Sequence, residues 1–340
     1  KNLFKLILLL SFFYMTVFLI AEVTAVSILI RYLSGTNLWI TSFIIISLSL
    51  LYTLYGGLRA SIFTDNIQFI FLIILLITSF TFILASYGNN YNLTFIKENK
   101  PALLSTNNYT NFTAGITFFI AVAATNLFHQ GNWQRVYAAK SFITLKKSLI
   151  LSFVLVTIIV YIIGFSGLVA VALNPEVTPD LAFFSLILKG NNVSISIIII
   201  FLAISLTISS IDTIINAISS LIIVDGSKFI KKKYNFKKLS KFFIILLSFI
   251  TFIISSQGIS ILYLFLLADL FCCAAVLSVF YSFYKKTTEE KNIYLSIVLG
   301  LFGGLLFFPT PDFTSSLLVG VLFPSSFFPD FVSQSLLTLL

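Results

Sequence analysis

Long apolar runs recur along the whole chain, and the segments between them are mostly short and polar. A helix needs about 20 apolar residues to cross a hydrocarbon layer of roughly 30 Å. The pattern therefore indicates membrane-spanning helices and not the strands of a barrel. The predicted spans cover roughly residues 6–30, 38–55, 62–86, 113–133, 149–173, 192–223, 242–256, 259–284 and 292–308, and a tenth begins near residue 328.

The composition excludes a soluble protein with a charged surface, because 59% of the residues are hydrophobic, 10% are charged and the mean hydropathy is +1.06. We expect one transmembrane domain over residues 1–340. We expect it to be incomplete, since the chain begins with Lys1 almost directly before a span and ends in an unfinished apolar run, Leu336 to Leu340. The short apolar stretch from Ser315 to Phe323 predicts an interfacial or re-entrant segment.

The net charge of +9 does not indicate nucleic-acid binding once the positions of the charges are considered. With the loops assigned to alternating sides, 17 of the 21 basic residues fall on one side. The other four are Arg31, Lys97, Lys100 and Lys189. The positive-inside rule makes the richer side cytoplasmic and predicts a multi-pass protein of the cell membrane, surrounded by lipid.

The fourth span contains a polar insertion. Its apolar run, Ile116 to Phe128, is too short to cross a membrane and is followed by His129, Gln130 and Gly131. Discontinuous helices near the midplane often form transporter binding sites, because they expose backbone groups. The alternative is a helix that simply ends in the cytoplasmic interface at Trp133.

The sixth span carries one polar stripe on an otherwise apolar helix, at three- and four-residue intervals. Its members are Ser205, Ser209, Asp212, Thr213, Asn216 and Ser220. Hydroxyl and carboxylate oxygens of this kind suit a small alkali cation. Alternatively, small hydroxyl residues only let helices pack closely and bond back to the preceding turn.

Acidic residues inside spans are costly, about 2.5–3.5 kcal/mol at a helix centre, so each needs a partner or a role. Four lie at predicted membrane depth: Glu22, Asp65, Asp212 and Asp269. The basic residues near the spans, Arg135 among them, are predicted to lie at span ends and not at membrane depth. Protons or bound cations are therefore the simplest partners of these acidic side chains. Asp65 has an alternative role as a helix cap after the Gly56-Gly57 break.

No pattern in the sequence suggests an enzyme, a transition-metal site or an organic cofactor. His129 is the only histidine, and it is alternatively an ordinary interior residue. Cys272 and Cys273 are adjacent within a span, which indicates small buried hydrophobic residues and not a disulfide.

Three segments, in order, resemble the signatures of the sodium:solute symporter family, which includes proline, sugar, sialic acid and urea transporters. They are YTLYGGLRASIFTDNIQ from Tyr52 to Gln68, WQRVYAAKS from Trp133 to Ser141, and SSIDTIINAISSLIIVD from Ser209 to Asp225. The hydropathy pattern extends the resemblance over residues 1 to 308. The resemblance implies a leucine-transporter-like core of two inverted five-helix repeats. The first span would then be the third core helix, and core helices one and two would be absent.

The resemblance also implies site residues. Ser209 and Ser210 match the paired hydroxyl ligands of the main sodium ion, and Leu206 matches a position that contributes its backbone carbonyl. A further set, Asp65, Asp212 and Thr213, matches a second sodium site of some members. Asp212 is an acid where several relatives carry a hydroxyl, so a sodium site, a proton site and a structural pair all stay open.

Four residues are predicted to contact substrate: His129 and Gln130 by the resemblance, Glu22 and Asp269 by their acidity at membrane depth. The function these expectations favour is sodium-coupled symport of a small polar organic solute by alternating access, with Na+ as coupling ion. One alternative is a transporter-like sensory module attached to a signalling domain. The other is a degenerate transporter that binds no ion.

Overall fold

The computed structural model describes residues 2–105, 108–188, 193–228, 235–285, 289–313, 315–316 and 318. The first six α-helices are α1 (Asn2–Ser34), α2 (Leu38–Tyr87), α3 (Leu93–Asn99), α4 (Tyr109–Phe128), α5 (Gln130–Ala138) and α6 (Phe142–Leu173). The remaining five are α7 (Ala182–Leu188), α8 (Val193–Ser220), α9 (Phe236–Ser255), α10 (Ile261–Tyr284) and α11 (Glu290–Phe307). A π-helical turn, Leu221–Asp225, follows α8 directly.

Within the described residues, eight helices are long and apolar enough to cross a membrane. They confirm the prediction of an all-helical, multi-pass membrane bundle. Seven predicted spans each coincide with helix α1, α6, α8, α9, α10 or α11, or with the pair α4 and α5. The predicted tenth span lies outside the described residues, as does most of the segment from Ser315 to Phe323. The inverted repeat stays a prediction.

Helix α2 differs from prediction because it contains both the second and the third predicted span. Its 50 residues would extend about 75 Å if straight, more than twice the hydrocarbon thickness. However, Ser42 near its start bonds to Ser27 of α1 (2.9 Å), while Ile83 near its end shares a core with Leu29 of α1. Both ends of α2 thus meet the same end of α1, so α2 reverses direction between a first limb (38–51) and a second limb (61–87).

The main core forms around α1 and α8, where α8 presents isoleucines on one face. Ile211, Ile214, Ile215 and Ile218 recur at three- and four-residue spacing and are all at most 3% exposed. The opposite face of α8 carries the predicted polar stripe. It is directed at the second limb of α2 and at α5, and these contacts build the candidate site.

The outer surface of the bundle is apolar. Helix α6 shows this most clearly: Phe153 is 73% exposed and Tyr161 is 68% exposed. Such exposure would be unfavourable in water and is expected of a surface that faces lipid.

Candidate ion and substrate site

The predicted break in the fourth span is present. Helix α4 ends at Phe128 and α5 begins at Gln130, and His129 between them has an extended backbone (φ −68°, ψ 107°). The alternative of one helix ending at Trp133 has the wrong end point, since α4 stops at Phe128 and a separate helix, α5, runs to Ala138. Because α4 alone is long and apolar enough to cross a membrane, a position of the break near the midplane stays a prediction. A helix end leaves backbone carbonyls without partners, and the indole Nε1 of Trp133 donates to one of them, that of Leu127 (2.7 Å).

Gly131 allows α5 to lie directly against α8. A Cβ atom at this position would be 2.7 Å from Cγ2 of Thr213 and 2.8 Å from Cε1 of His129. Only glycine avoids both contacts, so the break and the polar face of α8 stay in direct contact.

Hydrogen bonds between polar side chains hold α5 against α8. Gln134 donates from Nε2 to Oγ of Ser220 (2.7 Å), and Arg135 donates from Nη2 to Oγ1 of Thr213 (2.9 Å). Arg135 also donates to the carbonyl of Gly131 (3.2 Å). The polar side chains of α5 therefore face α8 and fix the orientation of this short helix against it.

Arg135 forms an ion pair with Asp65 of the second α2 limb. The expectation that no basic residue reaches the acids within the spans is thus wrong for Asp65. The guanidinium reaches it because the break turns α5 toward α8 and α2. Asp65 also accepts a hydrogen bond from Oγ of Ser209. It lies inside α2 and contacts other helices, so the capping role is wrong as well.

The predicted main sodium ligands lie together on α8. Ser209 faces Asp65, and Leu206 packs at the edge of the core that contains Leu29 and Ala203. Ser210 is partly buried. Their assignment as sodium ligands stays a prediction.

The predicted second cation site is divided in the structure. Asp65 and Thr213 meet through Arg135, whereas Asp212 bonds to neither and lies near Thr53 and Ser61. Asp212 is 1% exposed, and its Oδ1 accepts from Nδ2 of Asn216 (2.9 Å). Its Oδ2 has no hydrogen-bond partner among the described residues.

Aromatic rings surround the predicted substrate residue His129. Its ring lies edge-on to Tyr14 (6.0 Å between centroids) and to Phe18 (5.8 Å), and Phe18 in turn contacts Phe265 of α10 (5.1 Å). Nδ1 of His129 is buried and has no hydrogen-bond partner in the described part of the chain. Gln130 follows as the first residue of α5 and is partly buried.

Asp269 connects α10 to α4 just before the break. It is 8% exposed and accepts a hydrogen bond from Oγ1 of Thr125. The fully buried Tyr14 hydroxyl lies near Asp269, Glu22 and Cys272. Within the described residues, neither Asp269 nor Glu22 forms an ion pair.

Sequence reasoning missed Tyr14, Arg135 and the pair Thr53 and Ser61. Tyr14 lies in an apolar run and carries no local signal. Thr53, Ser61 and Arg135 fall within the family-like segments, so their presence there was the available signal. The two cysteines are free, and Cys272 is buried as predicted.

Comparisons of the sequence with known proteins identify related transporters. The chain is 26% identical over 270 residues to a spermidine transporter of Candida albicans, which covers 78% of this chain and 50% of that protein. The chain thus spans about half the length of this curated relative. The model of the sodium:solute symporter family matches residues 1–299. With most of its length matched, and with a broken helix packed on a hydroxyl-bearing helix, the chain belongs to the sodium:solute symporter family.

Proposed function

We propose that the complete protein is a symporter of the cell membrane that couples sodium entry to uptake of a small organic solute by alternating access. The observation that carries this proposal is the break at His129, held against the polar face of α8. It brings the ends of two helices, predicted sodium ligands and acidic side chains into one region, as expected of a coupled transporter. Membership of a transporter family favours transport over catalysis.

Sodium is proposed to bind Ser209, Ser210 and the carbonyl of Leu206. An inward-negative potential contributes about 2.3 kcal/mol per charge per 100 mV to sodium entry. A sodium ion at the second site, on Asp65 and Thr213, would have to displace the guanidinium of Arg135. Binding at that site is therefore proposed to be coupled to movement of α5.

The solute is proposed to carry positive charge. A carboxylate inside a span without an ion pair is costly, and a cationic solute would supply the missing positive charge for the buried Asp269 and the partly buried Glu22. Tyr14 and Phe18 add aromatic faces and edges beside them, and aromatic faces attract ammonium groups. The relative's name, a spermidine transporter, adds polyamines to the solutes to be tested.

Uptake into proteoliposomes that contain the full-length protein tests both parts of the proposal. Labelled spermidine, putrescine, proline, urea and glucose are compared with and without an inward sodium gradient. We expect sodium-dependent accumulation of a cationic solute, reduced at least tenfold by Asp269→Asn. Accumulation of a neutral solute alone would refute the charge argument, and binding without accumulation would favour the sensory-module alternative.

A further inference from the structure

A row of three oxygen atoms connects α10 to α4 just before the break. Oγ1 of Thr125 lies within hydrogen-bond distance of the carbonyl oxygen of Ala121 (2.5 Å) and of Oδ1 of Asp269. Both side chains are buried, since Thr125 is 7% exposed and Asp269 is 8% exposed. The hydrogen bonds of these oxygens are therefore made within the protein and not with bulk water.

The three oxygens need two hydrogen atoms between them, and Thr125 supplies only one. A threonine hydroxyl has a single hydrogen, whereas a backbone carbonyl and an ionised carboxylate can only accept. If Asp269 is ionised, one of the two contacts brings two oxygens together with no hydrogen between them. If Oδ1 of Asp269 is protonated, it donates to Oγ1 of Thr125, which donates to the carbonyl of Ala121. Both contacts are then hydrogen bonds.

Among the described residues, no positive charge near Asp269 favours its ionised form. Helices α1, α4 and α11 pack against α10. The titratable groups around Asp269 are not basic, and they are Tyr14, Glu22, Cys272 and Cys273. His129, which follows α4, contacts Tyr14 and forms no ion pair within the described residues. Helix α4 contains no basic residue, and those of α1 and α11 lie in the first or last turns of these helices. An ionised Asp269 would therefore lie inside a span without a counter-ion, which is unfavourable.

We propose that Asp269 carries a proton when no solute is bound and donates it to Oγ1 of Thr125. A cationic solute that binds at Asp269 displaces this proton, which leaves to the aqueous phase. The exchange rests on the cationic solute of the proposed function, whereas the proton site does not. It makes solute binding depend on pH: with one proton released per bound solute, the affinity rises about tenfold per pH unit while Asp269 is protonated in the free protein.

Infrared spectroscopy of the purified full-length protein in lipid tests the proton site without any solute. A protonated carboxylic acid has a C=O stretch that an ionised carboxylate lacks. At neutral pH, we expect the wild-type protein to show such a band and Asp269→Asn to lose a component of it. The matched control is Asp65→Asn, which should keep that component because Asp65 is ionised in its pair with Arg135. A wild-type spectrum without a component that depends on residue 269 would overturn the proposal.

Two variants of Thr125 test the hydrogen bond itself and serve even if Asp269→Asn folds poorly. Thr125→Val keeps the shape of the side chain but removes the oxygen that accepts the proton. The band should then move to higher frequency, because the C=O bond of a carboxylic acid stiffens when its hydroxyl no longer donates. Thr125→Ser retains the oxygen and should keep the wild-type frequency. An unchanged band in Thr125→Val would overturn the assignment.

Spermidine added to the weakly buffered protein tests the exchange. We expect the wild-type band to disappear and about one proton to be released per bound spermidine, measured with a pH indicator. Asp269→Asn should release none. Spermidine binding without proton release would overturn the exchange. If no cationic solute binds, the solute charge in the proposed function is wrong, while the spectrum without solute still decides the proton site.

Discussion

The substitution Arg135→Gln removes the guanidinium charge but keeps a side-chain hydrogen-bond donor. Removing one partner of a buried ion pair costs about 3–5 kcal/mol, while an exposed pair contributes about 0.2–1 kcal/mol. The side chains of Arg135 and Asp65 are 34% and 25% exposed, so this pair lies between those limits. We therefore expect a loss of about 1–2 kcal/mol in the free energy of unfolding without sodium.

The same substitution should strengthen sodium binding, because an ion at Asp65 no longer has to displace a tethered cation. A difference of 1–2 kcal/mol corresponds to about a 5- to 30-fold gain in affinity. The assay is thermal unfolding of the full-length protein in sodium chloride and in potassium chloride at equal ionic strength, which equalises screening. Sodium should stabilise Arg135→Gln more than wild type, and adding Asp65→Asn should remove the gain. Equal sodium-dependent shifts in wild type and Arg135→Gln would refute the reasoning.

Three further variants, one of them a double substitution, test the break and the main sodium site. Gly131→Ala should push α5 away from α8 and lower stability by about 1–3 kcal/mol, measured by thermal unfolding, whereas Gly164→Ala, which has open space around it, should have little effect. Replacing both Ser209 and Ser210 by Ala should abolish the sodium dependence of uptake in proteoliposomes, and persistence of that dependence would contradict the assignment. Trp133→Phe removes the indole donor at the break and should lower stability by about 1 kcal/mol, and an unchanged unfolding midpoint would contradict this role.

The helical spans could be predicted from hydropathy because a bilayer requires long apolar helices with internally satisfied backbone groups. The break at His129 could be predicted for a related reason, since the polar residues after Phe128 interrupt the apolar run. The reversal within α2 was located as well, since the predicted spans 38–55 and 62–86 are separated at Gly56-Gly57. What the sequence did not predict is that the chain stays helical between the two limbs.

The partners of the acidic residues could not be predicted from their positions in the chain. Arg135 and Asp65 are 70 residues apart, and they meet only because α5 turns against α8. Asp212 and Thr213 are neighbours in sequence, but successive residues on a helix point about 100° apart. Thr213 therefore bonds to Arg135, while Asp212 bonds to Asn216 and lies near Thr53 and Ser61. A helical projection of the stripe separates the two side chains but does not identify what each one contacts.

The Arg135–Asp65 ion pair at the α2–α8 interface connects ion binding to the helix break by charge balance. With Arg135 on Asp65, the net charge of this pair is zero. A sodium ion that enters at Asp65 adds a positive charge. The guanidinium of Arg135 must then move away, because otherwise it repels the sodium ion. Because Arg135 also bonds to Thr213 and to the carbonyl of Gly131, its departure removes contacts that hold α5 against α8. His129 lies one residue before α5, so the same movement would reach the predicted solute contacts. Cross-linking or distance measurements between α5 and α8 should accordingly respond to sodium in the wild-type protein and lose that response in Asp65→Asn.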